Sequence, residues 1–355
     1  MVKRAAALLL VCASMAVWFG CSTSSSNRYV YAAIPSSNQI AAFREDPNAG
    51  ALTQLAGSPI TAGSAVTAIV VHPSKKFLYA ANSGSGTISL FTIASGGGLT
   101  EVTPQTDAGT APTQLTMDPG GNFLYVANIG SNDIFAFSID QSSGVLTQVG
   151  ARFAIGLTPL NMKLSPSGSV LYVTNAGNPG FIQAFPVNQG VIGPTPIAGS
   201  PFTTGNQPVG MAIAPGGGFL YTTDTTTASI SEYAIQADGS LSQLSNSPVG
   251  ESFASPVSLL VDNSGKYLFV ANQASTNLAG YSIGSDGAIT LLTGSPFGTS
   301  GGPSVIASDP SGKFLFVGSQ GGSTIQSFSL DGSTGILTSV ATYSSGATNS
   351  IAVTP

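Results

Sequence analysis

The feature that most constrains this 355-residue chain is a seven-fold internal repeat with a period near 47 residues. The central aromatic of a strand-like motif recurs at Tyr31, Tyr79, Tyr125, Tyr172, Tyr221, Phe269 and Phe316, with spacings of 48, 46, 47, 49, 48 and 47 residues. Twelve residues after most of these anchors stands a second aromatic: Phe43, Phe91, Phe137, Tyr233, Tyr281 and Phe328. In the fourth repeat it is Phe185, thirteen on, beside the Asn178-Pro179-Gly180 insertion. A Leu or Ile returns 20 or 21 residues after every anchor, from Leu52 to Leu337. Repeats of about 40–50 residues are units that bury their apolar faces only against neighbouring copies, as in propellers and solenoids.

Each unit holds four β-like stretches and no helical period. In the third, Leu115-Thr116-Met117 is followed by an Asp118-Pro119-Gly120-Gly121 turn, and a strand over 123–127 by the loop Asn128-Ile129-Gly130-Ser131. Strands over 134–139 and 145–149 complete it. Apolar residues alternate with polar or small ones, and Gly, Pro, Asn and Asp punctuate them. Four strands per unit is the pattern of a propeller blade, here named A to D from the channel outwards. The first unit starts in strand B at Tyr29, and the chain ends on Ser350-Ile351-Ala352-Val353-Thr354-Pro355, which copies the start of an A strand. The sequence therefore predicts an all-β, seven-bladed propeller over 29–355, closed by the C-terminal strand pairing into the N-terminal blade and covering an otherwise open edge.

Composition narrows the function. Charged residues make up 7 % of the chain, against about 25 % in an ordinary soluble domain. That excludes a coiled coil, and the 42 % apolar content excludes charge-driven disorder. A formal net charge of −5 leaves no basic footprint for nucleic acid. Two Cys cannot form a disulfide scaffold.

The first 28 residues read as an address. Lys3 and Arg4 precede a 15-residue apolar run over 5–19, too short for a membrane span of about 20 residues and suited to a signal peptide. Gly20-Cys21 followed by Ser22-Thr23-Ser24-Ser25-Ser26 resembles a bacterial lipoprotein cleavage site. The expected organisation is a signal peptide over 1–20, a Ser-rich tether over 21–28, and Cys21 as the lipidated residue. A competing cut after Ser14-Met15-Ala16 leaves Cys21 a free thiol. The expected location is the bacterial cell envelope, with the membrane reached through the N-terminal lipid.

The run Phe123-Leu124-Tyr125-Val126-Ala127-Asn128, preceded by Asp118-Pro119-Gly120-Gly121, resembles the YVTN-type repeat. Asp140 with Gly144-Val145-Leu146-Thr147 is similar to the matching stretch of the 6-phosphogluconolactonase (cycloisomerase-like) propeller family. The resemblance covers 29–355 and implies, beside the fold, hydrolysis of a sugar lactone. Such lactonases are understood to carry a Pro-Arg-His run entering one A strand and a Glu just after the Asn that ends a B strand. Here the prolines Pro112, Pro159, Pro208, Pro256 and Pro303 lead into Thr113-Gln114, Leu160-Asn161, Val209-Gly210, Val257-Ser258 and Ser304-Val305. The Glu slot holds Ser83, Ile129, Ala176, Thr225, Gln273 or Gln320. The implied acid/base set is missing from every one of these positions, so no catalytic residue is assigned.

The single histidine, His72, lies in an A–B turn and reads as a turn residue, because zinc needs more N or S ligands than this chain offers. Asp238-Gly239 and Asp286-Gly287 fit hairpin turns better than a calcium loop. No metal or cofactor is expected. Asn82, Asn128, Asn175, Asp224 and Asn272, which follow strand B, are expected to cap the B–C loops through backbone bonds. Alternating strand direction places most charges at the A–B and C–D turns. The opposite end keeps Asp107, Asp133, Asp224 and Glu251, with Arg152 as its clearest cation. Lys163 replaces the Val70, Thr116, Ala212, Leu260, Ala307 or Ala352 of its sister blades and either faces the channel or is a solvated strand-end lysine. Arg152, Lys163, Asp107, Asp224 and Asn128 are the candidate binding residues. They suit a non-catalytic module that binds a neutral glycan or a protein partner, the alternative being a sugar-lactone hydrolase with a rebuilt site.

Overall fold

The computed structural model describes residues 27–250 and 254–355. The signal peptide, the tether through Ser26 with Cys21, and Glu251 therefore lie outside the described residues, whereas Arg28, assigned to the tether, begins the first strand. The rest forms seven antiparallel sheets in sequence order. In the third blade the strands are A (Pro112–Met117), B (Phe123–Asn128), C (Asp133–Ile139) and D (Leu146–Gln148), and A is one edge of the sheet and D the other. No helix of the described residues is long and apolar enough to cross a membrane.

Closure follows the predicted pairing. The C-terminal strand (Ser350–Val353) lies antiparallel to the first strand (Arg28–Ile34), with Tyr31 opposite Ala352 and Ala32 opposite Ile351. Thr354 fills the slot that Asp118, Asp262 and Asp309 fill in sister blades, where the side chain accepts an N–H at the start of strand B. Asp309 Oδ1 accepts Phe314 N–H at 2.8 Å, and Thr354 Oγ1 accepts Tyr29 N–H at 2.9 Å.

The core sits between blades. Seven apolar clusters each combine residues of two adjacent blades, as where Tyr79 meets Leu124 and Phe137. All seven anchor aromatics are fully buried in these layers, as the recurrence at one slot per blade implies. Four of them also stitch neighbouring blades by hydrogen bond: the hydroxyls of Tyr31, Tyr79, Tyr172 and Tyr221 donate to the carbonyls of Gly97, Gly144, Gly239 and Gly287 in the next blade.

The outer strand is broken in several blades at a Ser-Pro step, which reads in the sequence as the end of an edge strand but lies between two segments of it: Leu52–Gln54 and Ile60–Thr61 both pair with the first blade's C strand. The serine makes up for the break. Ser58, Ser200, Ser247 and Ser295 Oγ accept the N–H groups of Ala42, Ala184, Glu232 and Gly280 at 2.8–3.1 Å. A hydroxyl here replaces a ladder carbonyl at a point where the proline cannot continue the strand. In the second and seventh blades strand D runs unbroken, over Leu99–Asp107 and Leu337–Ser344.

Candidate functional site

The A strands enclose a central channel of about 1010 Å³. Its loop-side mouth is shaped by a backbone irregularity common to the blades. Each A-strand proline sits opposite the residue that ends strand B, and a bulge follows it, as between Pro159 and Asn161 or Pro256 and Ser258. Bulges re-aim side chains at sheet edges. Here they bring Thr113, Gln114, Asn161, Ser258 and Ser304 to the channel wall. From the residue after strand B, Gln273 and Gln320 reach the same wall and join Asn349. Gln273 Nε2 donates to Gln320 Oε1 at 3.3 Å, and Gln320 Nε2 donates to Asn349 Oδ1. The two slots in which the resemblance implies Arg-His and Glu therefore do converge on one mouth, but they carry amides and hydroxyls.

Lys163 lines this channel. Its side chain is open to the channel yet walled on every side, and that desolvation holds its ammonium pKa below the usual lysine range. The other candidates lie at the rim. Arg152 is 68 % exposed and pairs with Asp133 at 3.6 Å. Asp133 Oδ1 also accepts Asn128 Nδ2 at 2.9 Å, so Asn128 and Arg152 are linked through Asp133. Asn128 and Asp224 have no exposed surface, whereas Asp107 is exposed at the end of an outer strand.

Most of these residues, which end strand B, bond side chains that begin strand C where loop backbone was expected: Asn82 to Thr87 and Ser89, Asn128 to Asp133, Asn272 to Asn277. Asn175 does bond backbone, but within its own strand, donating Nδ2 to the Val173 carbonyl at 3.1 Å. Asp224 follows the side-chain pattern through Ser231 at 2.5 Å and Ser229 at 3.4 Å. Burial, opposed by these hydrogen bonds, still raises its carboxyl from the ordinary 3.8 to about 6. The folded state thus favours the protonated acid, and the penalty on the ionised form is absent below pH 3.8 and complete above about pH 6. That difference corresponds to roughly 3 kcal/mol. Asp224→Asn is expected to stabilise the protein at pH 8 and leave it nearly unchanged at pH 4, because Asn82 already bonds Ser89 in the same geometry. Thermal melts at the two pH values check this, and equal shifts at both would overturn it.

His72 is buried in its turn. Its Nδ1 accepts Ser74 N–H at 3.1 Å, so Nε2 carries the proton and donates to the Gly121 carbonyl of the next blade at 2.8 Å. It is a structural residue, far from the loop-side mouth. Among the described residues no group of three His, Cys, Asp or Glu is placed to hold a metal ion.

Fold and mouth together define a propeller with a central channel whose loop-side mouth is lined by amides and hydroxyls, with Lys163 deeper in the wall. The family described as "Lactonase, 7-bladed beta-propeller" matches residues 22–159, 189–299 and 254–353, and the chain belongs to that family. A putative 6-phosphogluconolactonase from Bacteroides fragilis superposes with a TM-score of 0.82 at 20 % identity, over 94 % of this chain and 99 % of that one. The periplasmic gluconolactonase PpgL of Pseudomonas aeruginosa superposes with a TM-score of 0.76 at 18 % identity, over 93 % and 99 %. No curated protein sequence matches.

Proposed function

We propose that this protein hydrolyses a sugar lactone at the loop-side mouth of its channel, without the family's usual acid/base set. The observation that carries the reading is the convergence of Asn161, Gln320 and their neighbours on the mouth at the two family slots. In the reaction, a water oxygen adds to the lactone carbonyl and the ring C–O bond breaks. The ring oxygen leaves as a hydroxyl, and the new carboxyl group releases its proton to water. Side-chain amides aimed at the carbonyl oxygen stabilise the charge that develops there. Lacking a positioned base forfeits about 10²–10⁴ in rate, so turnover is slow. Purified protein is expected to hydrolyse D-glucono-1,5-lactone above the spontaneous rate, and Asn161→Ala with Gln320→Ala to remove the excess. A rate equal to the uncatalysed background sinks this reading.

That outcome would favour a non-catalytic module for a neutral glycan or a protein partner, the reading supported by the absence of the Arg, His and Glu from every slot. We further propose that the protein is exported and anchored through Cys21. The Gly20-Cys21 site supports this, as does the periplasmic description of one structural relative. Strand B of the first blade begins at the A–B-turn end, so the tether leaves there and the channel mouth faces away from the membrane. Cys21→Ala is expected to move the protein from the membrane fraction to the soluble one; retention in the membrane contradicts the anchor.

A further inference from the structure

Lys163 is the one charged group in its ring of the channel wall. In the other blades that position holds valine, leucine, alanine or threonine. Met162 beside it is 1 % exposed between blades, so strand alternation turns Asn161 and Lys163 together to the other side. Among the described residues Lys163 has no hydrogen bond or ion pair. Asp118, the other charged residue lining the channel, is already engaged: its Oδ1 accepts Phe123 N–H at 2.5 Å and its Oδ2 accepts Asn122 Nδ2 at 3.2 Å. The channel therefore holds one uncompensated cation at depth, with the amides and hydroxyls of Gln114, Asn161, Ser258 and Ser350 on the mouth side of it. Keeping a lone ammonium in such walls costs solvation free energy, and an arriving anion recovers it.

We infer that the channel takes a polyhydroxylated monocarboxylate, a sugar acid, with its carboxylate on the Lys163 ammonium and its hydroxyls on the ring of amides and hydroxyls above. This rests on the reading of the mouth as a sugar-lactone site and names its ligand, because opening a lactone yields an acid of this class. Charge selects the carboxylate over a phosphate. One ammonium neutralises one carboxylate, whereas a phosphate dianion retains a negative charge inside the channel of a chain whose net charge is already −5. Arginine forks, the usual bidentate partners of phosphate, are absent from the lining.

The test is calorimetric titration of the full chain with sodium gluconate, glucose and 6-phosphogluconate. Gluconate is expected to bind about tenfold more tightly than glucose and more tightly than the phosphorylated acid. Lys163→Met is expected to bring the gluconate-to-glucose ratio to about one, while Lys313→Met at the other end leaves it intact. Lys163→Gln serves if the methionine variant misfolds, and the wild-type comparison needs neither. Equal affinities for gluconate and glucose, a ratio indifferent to Lys163, or tighter 6-phosphogluconate binding would each overturn the proposal. Lys163-dependent gluconate binding without lactone turnover removes the hydrolase reading and leaves this one standing; turnover without gluconate binding does the reverse.

Discussion

Deleting residues 349–355 is expected to melt the whole ring at once. The lost strand makes the ladder from Val30–Val353 to Ala33–Ser350, and two further backbone bonds, Thr354 N–H to Tyr29 O and Asn349 N–H to Ala33 O, extend it. Ile351 is buried where the seventh blade meets the first, in the same cluster as Phe314 and Phe316. Burying an isoleucine is worth about 1.5–3 kcal/mol, and each lost backbone bond about 1 kcal/mol. The sum, about 5 kcal/mol or more, reaches the low end of a domain's entire stability. The damage also spreads. Arg28, at the head of the newly exposed edge, pairs with Asp309 of the seventh blade at 2.7 Å and with Glu45 at 3.5 Å, so the seam between first and last blades loses its support. Calorimetry should show a single transition lowered by about 10 °C or more. An unchanged midpoint, or a small separate transition ahead of an unmoved main one, would contradict closure through this strand.

The blade architecture was legible because its main determinant is periodic. A fully buried residue at the same slot of every unit, such as Tyr79 or Phe316, leaves a trace at constant spacing whatever its detailed contacts. The A-strand copy at the C-terminus was legible for the same reason. The broken outer strand was not, since a Ser-Pro step reads equally as a strand end. Only the geometry shows Ser58 Oγ taking the place of a ladder carbonyl for Ala42. The residue that ends strand B was misread at the level of its partner: Asn82 finds Ser89 across the hairpin, a contact between strands that local turn chemistry does not report.

The site was less legible, because function here depends on which repeats depart from the common pattern and on where a departure points. Lys163 stood out by breaking its slot, but sequence left open whether it faced the channel. Gln273, Gln320 and Asn349 were harder still. Two of them were visible only as substitutes in a slot where glutamate was sought, and Asn349 came from the terminal strand. Their convergence is a product of ring closure, which joins the first and last residues of the propeller. Asp224 and Asn128 drew attention as polar residues at the loop end, yet both are buried within their own hairpins.

Gly287→Ala is expected to be the most damaging single methyl group in the chain. A glycine stands two residues before the Leu or Ile of every repeat, from Gly50 before Leu52 to Gly335 before Leu337, a regularity that alone reads as a plain hairpin turn. The structure gives it a second job: the Cα of Gly287 lies under the ring of Phe219 in the preceding blade while its carbonyl accepts the Tyr221 hydroxyl at 2.7 Å. A Cβ there would stand 2.2 Å from Phe219 Cδ1, and the backbone φ of +86° lies in the left-handed region. The conformational cost to an L-residue is about 1–2 kcal/mol, and forcing the turn off the aromatic adds about 1–3 kcal/mol of overpacking. Gly57→Ala separates the two contributions, since Gly57 has a φ of +81° but no atom within 4 Å of an added Cβ; it should cost only about 1 kcal/mol. Phe219→Ala opens the space above Gly287, so the double variant should be less destabilised than the sum of its parts, a coupling that denaturant melts of the four proteins measure directly. Strict additivity would mean that the turn does not rest on the ring, and that blade-to-blade packing tolerates what the repeat never varies.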